Sequence, residues 1–197
     1  MAQDESGTVS DQDRLLNLER VGSGTALTDQ IYSLVGRSPF FAEFSREDIS
    51  FLAGYMDVYR AQPGEIIIRE SDSGDYMLLI IDGEVDILKK GLRMEQQHMT
   101  SVGPGMTLGE MSMIDGEPRF ATCLATQTTT FAVLTRDNMA KIILDHPSLG
   151  SKILVKLVTM LSLRLRQTSA KLLIKLVTLL SQRLRQTSST LLHYMER

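Results

Sequence analysis

Between residues 57 and 135 the chain is a series of short apolar runs cut apart by turn residues. The runs are Asp57–Ala61, Glu65–Glu70, Tyr76–Ile81, Glu84–Lys89, His98–Val102, Phe120–Thr126 and Thr130–Thr135. Pro63-Gly64, Ser73-Gly74-Asp75, Asp82-Gly83 and Gly103-Pro104-Gly105 lie between them. Glycines at such places supply positive φ at little steric cost. Runs of this length are too short for stable helices and suit half-buried strands. Asp82-Gly83 between two apolar runs is a specific hairpin signal. The pattern predicts an α+β chain that is mainly β: an antiparallel β-roll or jelly-roll barrel with N-terminal helices and a long C-terminal helix.

The flanks divide accordingly. Residues 1–11 are acidic and polar and read as a disordered tail. Residues 12–147 read as the β-roll with its N-terminal helices. Within them 12–55 are helical in pattern, broken by Gly22, Gly24, Gly36 and Pro39, and Ser45-Arg46-Glu47-Asp48 has the form of a capped helix start. A short helix from Asp137 ends before His146-Pro147. Residues 148–197 read as a long basic helix or a helical hairpin. They carry a balance of +8, against −11 for the rest of the chain. Such asymmetry suits a helix lying on an acidic body, its own or that of a dimer mate, or else a basic tail for nucleic acid or membrane.

This last segment contains a tandem repeat. Lys152–Ala170 and Lys171–Ser189 are identical at 14 of 19 positions. A shift of nineteen residues turns an ideal helix by about 100° beyond whole turns, so the second apolar stripe is rotated from the first. One long helix, or a break near Gln167-Thr168-Ser169, both satisfy the pattern. The repeat itself fits a natural or an engineered duplication.

Several function classes lose support. The N-terminus lacks a basic and apolar leader, and no stretch of 18 uncharged apolar residues occurs, so a cytoplasmic protein is expected. The single Cys123 excludes an intramolecular disulfide and reads as a small buried hydrophobe. His98, His146 and His193 lack metal-ligand spacing, so no metal is expected. No nucleophile with a supporting motif and no P-loop occurs.

The chemistry concentrates in Thr107–Ala125, TLGEMSMIDGEPRFATCLA. Gly109 allows a close backbone approach, and Glu110–Ile114 can form one helical turn whose amides face an anion. Arg119 adds a permanent cation with planar donors suited to phosphate. A carboxylate accepts from sugar hydroxyls, so Glu110 and Arg119 together suit a sugar phosphate. A solvated Glu110 and an Arg119 paired with a surface acid are the plain alternatives.

The segment resembles the phosphate-binding cassette of the cyclic-nucleotide-binding domain family, which includes the catabolite activator protein and protein kinase A regulatory subunits. The match runs Leu108-Gly109-Glu110-Met111-Ser112-Met113-Ile114, then Asp115-Gly116-Glu117, then Pro118-Arg119-Phe120-Ala121-Thr122. Ser73-Gly74-Asp75-Tyr76-Met77 through Asp82-Gly83-Glu84-Val85, and Ser38-Pro39-Phe40-Phe41 to Leu52-Ala53, resemble other family segments. The resemblance implies that Glu110 binds the ribose 2′-hydroxyl and that Arg119 pairs with the cyclic phosphate. Amides near Gly109, Met111, Ser112, Phe120 and Ala121 would complete the cradle, and Leu108 and Val85 would wall the sugar and base.

One position departs from the family. Where Ala, Ser or Thr usually follows the arginine, this chain has Phe120. Its ring either crowds the anion or leaves the amide free to donate. The missing hydroxyl favours cyclic AMP over cyclic GMP.

The expectation is a sensor module and not an enzyme, needing no cofactor besides the nucleotide and acting through the C-terminal helix, with a homodimer formed on it. No recognition helix follows, so sequence-specific DNA binding is not expected and output passes through a downstream protein partner or self-association. The alternative is an interaction or structural protein with a degenerate pocket, working through the basic helix.

Overall fold

The apolar runs form strands wherever a neighbouring strand takes up their hydrogen bonds. In a computed structural model, which describes residues 11–34, 37–91 and 95–195, the chain divides into two units, 1–154 and 155–197. The first unit holds nine strands among its described residues: β1 Glu19–Ser23, β2 Asp57–Ala61, β3 Ile66–Ile68, β4 Tyr76–Asp82, β5 Val85–Lys90, β6 Gln96–Val102, β7 Thr107–Leu108, β8 Thr122–Ala125 and β9 Thr129–Thr135. They build two antiparallel sheets, ordered β1-β2-β9-β4-β7 and β3-β8-β5-β6. The helices of this unit are α1 Asp11–Leu16, α2 Thr28–Ser33, α3 Arg46–Gly54, α4 Glu110–Asp115 and α5 Arg136–Asp145.

The mainly β class with flanking helices is what the sequence predicts, but the sheets do not close into a barrel. Between them lies a core that includes Ile67, Ile68, Tyr76, Leu78, Ile80, Val85, Phe131 and Val133. Every apolar residue of Tyr76–Ile81 is buried, because β4 sits between β9 and β7 inside its sheet. The start of α3 is as expected, with Ser45 and Asp48 capping it reciprocally. Helix α5 begins one residue before the expected Asp137, and at its head the Thr135 hydroxyl accepts from the Asn138 amide.

Three local departures have physical causes. Residues 19–23 are a strand where a helical pattern was expected. Cross-strand ion pairs, Arg20 to Asp57 at 2.7 Å and Arg60 to Glu19 at 3.0 Å, tie it to β2, and the register shifts between Arg20 and Gly22. The two-residue β7 is too short for a periodic signal and exists through its pairing with β4. Asp11, assigned by sequence to a disordered tail, is the buried first residue of α1. Residues 1–10 lie outside the described residues.

Helix α6, Pro147–Met195, is continuous through the repeat. Along it, threonine hydroxyls bond back to carbonyls four residues earlier. Thr159 donates to the Val155 carbonyl at 2.7 Å, its repeat mate Thr178 to Ile174 at 2.9 Å, and Thr187 to Arg183 at 2.9 Å. In the second unit the helix leaves large apolar side chains exposed along both repeats, among them Val158, Leu165, Leu172, Ile174 and Val177. No helix among the described residues is long and apolar enough to cross a membrane.

Candidate functional site

The candidate site is assembled where β4, β7 and the α4 loop meet. Leu108 pairs with Leu78, which brings the end of β7 beside the start of β4. Gly109 then adopts a φ of 81°, a left-handed turn that starts α4. Glu110 is buried, and the buried Thr107 hydroxyl donates to its Oε1. At the other end of α4, Arg136 donates from Nε to the Met113 carbonyl and from Nη2 to the Ser112 carbonyl, each at 2.7 Å. They tie the last turn of α4 to the start of α5; the Ser112 carbonyl also accepts from the Gly116 amide at 3.0 Å.

Arg119 is the centre of the arrangement. Its side chain is 1% exposed. The backbone on either side is held by the 71–72 loop: the Arg119 amide donates to the Asp72 carbonyl at 2.8 Å and the Ser71 amide to the Arg119 carbonyl at 2.9 Å. Nη1 donates to the carbonyls of Tyr76, at 2.8 Å, and Gly109, at 2.9 Å. The guanidinium carbon sits 4.4 Å from the centre of the Tyr76 ring, a cation–π contact.

Two glycines make room for it. A Cβ at Gly74 would stand 2.1 Å from Arg119 Nε, and one at Gly109 would stand 2.6 Å from Nη1. The counter-charge is Asp11, whose Oδ2 accepts from Nε at 2.6 Å. Nη2 is buried and, among the described residues, has no hydrogen-bond partner. A donor left over in this way suits an anion that presents oxygens to Nε and Nη2 together, as Asp11 with its single contact does not.

The electrostatics follow from burial. Burial pushes the Asp11 carboxyl above its ordinary range, and attraction to Arg119 only partly offsets it. The Tyr76 hydroxyl is raised well above its usual value by burial and by the nearby Asp11. The Cys123 thiol is pushed up to about 12, chiefly by burial, which fits an inert core residue.

The residues singled out from sequence divide into two sets. Leu108, Gly109, Glu110, Ser112, Arg119, Ala121 and Val85 are buried or in the cassette backbone, and Val85 and Leu108 belong to one apolar cluster. Met111 and Phe120 carry exposed side chains. The Phe120 ring is 56% exposed, with the Lys89 ammonium 4.3 Å from its centre. It lies outside the apolar interior and fills no part of it. The sequence reading missed Asp11, Leu15, Tyr76 as a ring under the guanidinium, and Gly74 as its wall. The glycine-aspartate turn had marked Gly74 only as a bend. Within the first unit Leu15 is buried in the same cluster as Val85 and Leu108. Among the described residues no group of His, Cys, Asp and Glu can hold a metal ion.

Known proteins resemble this chain in sequence and fold. The model of the cyclic nucleotide-binding domain matches residues 59–146. The regulatory subunit of a cAMP-dependent protein kinase of Yarrowia lipolytica is 30% identical over 117 residues, 59% of this chain and 30% of that protein. A crystal structure of a cyclic nucleotide-binding domain from Methylobacillus flagellatus is 38% identical, with a TM-score of 0.73 over 81% of this chain and 90% of that one. The catabolite activator protein of Thermus thermophilus is 26% identical, with a TM-score of 0.63 over 68% of this chain and 62% of that one. The chain thus spans about a third of the length of the kinase regulatory subunit that it matches.

Proposed function

The chain belongs to the cyclic nucleotide-binding domain family, and from that premise we propose that it is a sensor, not an enzyme, that binds a cyclic mononucleotide on Arg119 and Glu110. The observation that carries this reading is the buried Arg119 guanidinium, walled by Gly74 and Gly109, with Nη2 lacking a hydrogen-bond partner among the described residues. A cyclic phosphate offers oxygens for both Nε and Nη2. The buried Glu110 carboxylate is the acceptor for the ribose 2′-hydroxyl, with Thr107 orienting one of its oxygens. Val85 and Leu108 supply apolar walls. Cyclic AMP is the preferred ligand and cyclic GMP the weaker one, because Phe120 brings no hydroxyl beside Arg119.

The response passes through α6. A ligand moves an equilibrium only by binding one placement of a mobile element better than another. The exposed Leu154, Val158 and Leu165 make an apolar stripe that suits a homodimer on this helix, in the cytoplasm, with a downstream protein partner reading the change.

Calorimetric titration of the full chain tests the site. Wild type is expected to bind cyclic AMP more tightly than cyclic GMP. Arg119→Ala should weaken binding by about 30-fold or more, since removing one member of a buried charge pair costs about 2–5 kcal/mol. No binding of either nucleotide to well-folded wild type would overturn the reading. It would leave the second one, an interaction protein with a degenerate pocket, whose working part is the basic and apolar surface of α6.

A further inference from the structure

Helix α1 meets the cassette at both ends of the place a nucleotide needs. At its first residue the Asp11 carboxylate, fully buried, accepts a hydrogen bond from Arg119 Nε at 2.6 Å. One turn later Leu15 is buried in the cluster that contains Val85, Leu108, Ile67, Ile68 and Cys123. Between them Arg14 donates from Nη2 to Asp72 Oδ2 at 2.6 Å, and Asp72 is the residue whose carbonyl receives the Arg119 amide. An anion on the guanidinium and an apolar group in the interior, about one helical turn apart, form the same two-part pattern as a cyclic phosphate with its base.

We propose that α1 is a tethered ligand of the cassette, with the Asp11 carboxylate in the phosphate position on Arg119 and Leu15 in the apolar interior. A cyclic nucleotide then binds only by displacing it. This competition rests on the nucleotide reading above, whereas the docking of α1 does not.

The fit is imperfect in a direction that favours exchange. Asp11 Oδ1 and Arg119 Nη2 are both buried without a hydrogen-bond partner among the described residues. One carboxylate oxygen meets Nε, and the second fork of the guanidinium receives nothing. A tethered ligand acts at an effective concentration on the order of millimolar, so even a poor fit keeps the site filled. The apparent affinity for a free ligand falls by the fraction of molecules in which α1 has left. The device sets a threshold: nucleotide engages the cassette only where it outcompetes the chain's own acid.

Two full-length variants test this. Asp11→Asn keeps the shape and removes the charge; Leu15→Asp makes docking in the apolar interior unfavourable. Without nucleotide, amide hydrogen exchange at residues 11–16 should accelerate at least about tenfold in each, with β4 and β9 still protected as the check on folding. In titrations with cyclic AMP, each variant should bind at least about tenfold more tightly than wild type. Unchanged exchange at α1, or one Kd for wild type and both variants, would overturn the proposal. Accelerated exchange with no cyclic AMP or cyclic GMP bound by any form would instead overturn the nucleotide reading and leave α1 as the ligand of the cassette.

Discussion

The cassette and the second half of α6 solve opposite problems. In the cassette two charged side chains, Asp11 and Arg119, are buried almost completely and held by backbone carbonyls and an aromatic face. In Lys171–Ser189 the reverse holds: Leu172, Leu173, Ile174 and Val177 are exposed, each by more than half. A buried ion pair persists only if its surroundings supply most of its partners, and here they do so from within one unit, leaving Asp11 Oδ1 and Arg119 Nη2 without a hydrogen-bond partner among the described residues. Exposed large apolar side chains on a regular helix gain their stability from elsewhere or not at all. A buried charge therefore marks a site already built, and an exposed apolar stripe marks one that awaits an occupant.

Arginines in the two regions break or sharpen that contrast most strongly. Arg119→Ala strands the Asp11 carboxylate in the interior, and urea denaturation should record a loss of about 3–5 kcal/mol. Arg183, exposed on α6, should cost less than about 0.5 kcal/mol as Ala in the same assay. Comparable losses at the two positions would end the distinction. Combining Asp11→Asn with Arg119→Ala should cost less than the sum of the single changes, since the second removes a partner already lost.

Glycine comes next in size. At Gly74 a methyl group meets Arg119 Nε at 2.1 Å, so Gly74→Ala displaces the guanidinium or the 71–74 loop. Overpacking of this kind costs about 1–3 kcal/mol, read as a lower unfolding midpoint. Gly54 is the control. Its Cβ would meet only the Thr25 methyl, at 3.9 Å, and it sits in α3, where Ala is the better helix former. Gly54→Ala should therefore leave the midpoint unchanged or raise it. Equal losses at Gly54 and Gly74 would show that the cassette tolerates no less than any helix.

How much of this was legible follows from how local each feature is. Strand β2 was readable to its ends, because the turn residues after it are its neighbours in sequence. The α3 cap lies within four consecutive residues and was equally plain. Glu110 and Arg119 were visible as a motif, since the α4 turn that separates them is short. Their partners were not. Asp11 meets Arg119 across 108 positions and Tyr76 meets it across 43, and no periodicity links such residues. Leu15 stands beside Leu16 and Leu18, and nothing local says that Leu15 is the one buried while Leu16 is exposed. Strand β1 read as helix because it is largely exposed and so shows no alternation, and its ladder to β2 lies with residues far along the chain. The continuity of α6 was open because one helix and a break at Gln167-Thr168-Ser169 both satisfy the repeat, a choice that composition leaves undecided.

The smallest stability effect is expected in the repeat, and it is the one that separates packing from association. Leu172→Asp and Val177→Asp place charges where the side chains are already exposed, so no core contact of the first unit is lost. The unfolding midpoint of that unit should move by no more than about 0.5 kcal/mol, the range for surface changes. If the stripe serves a homodimer, the same variant should lower the mass measured by light scattering toward one chain, because charges in an apolar interface go unpaired on association. A midpoint that falls by several kcal/mol would mean that the stripe packs on its own chain. An unchanged mass would mean that the second repeat lengthens α6 without joining copies, and that any contact between subunits is confined to the first.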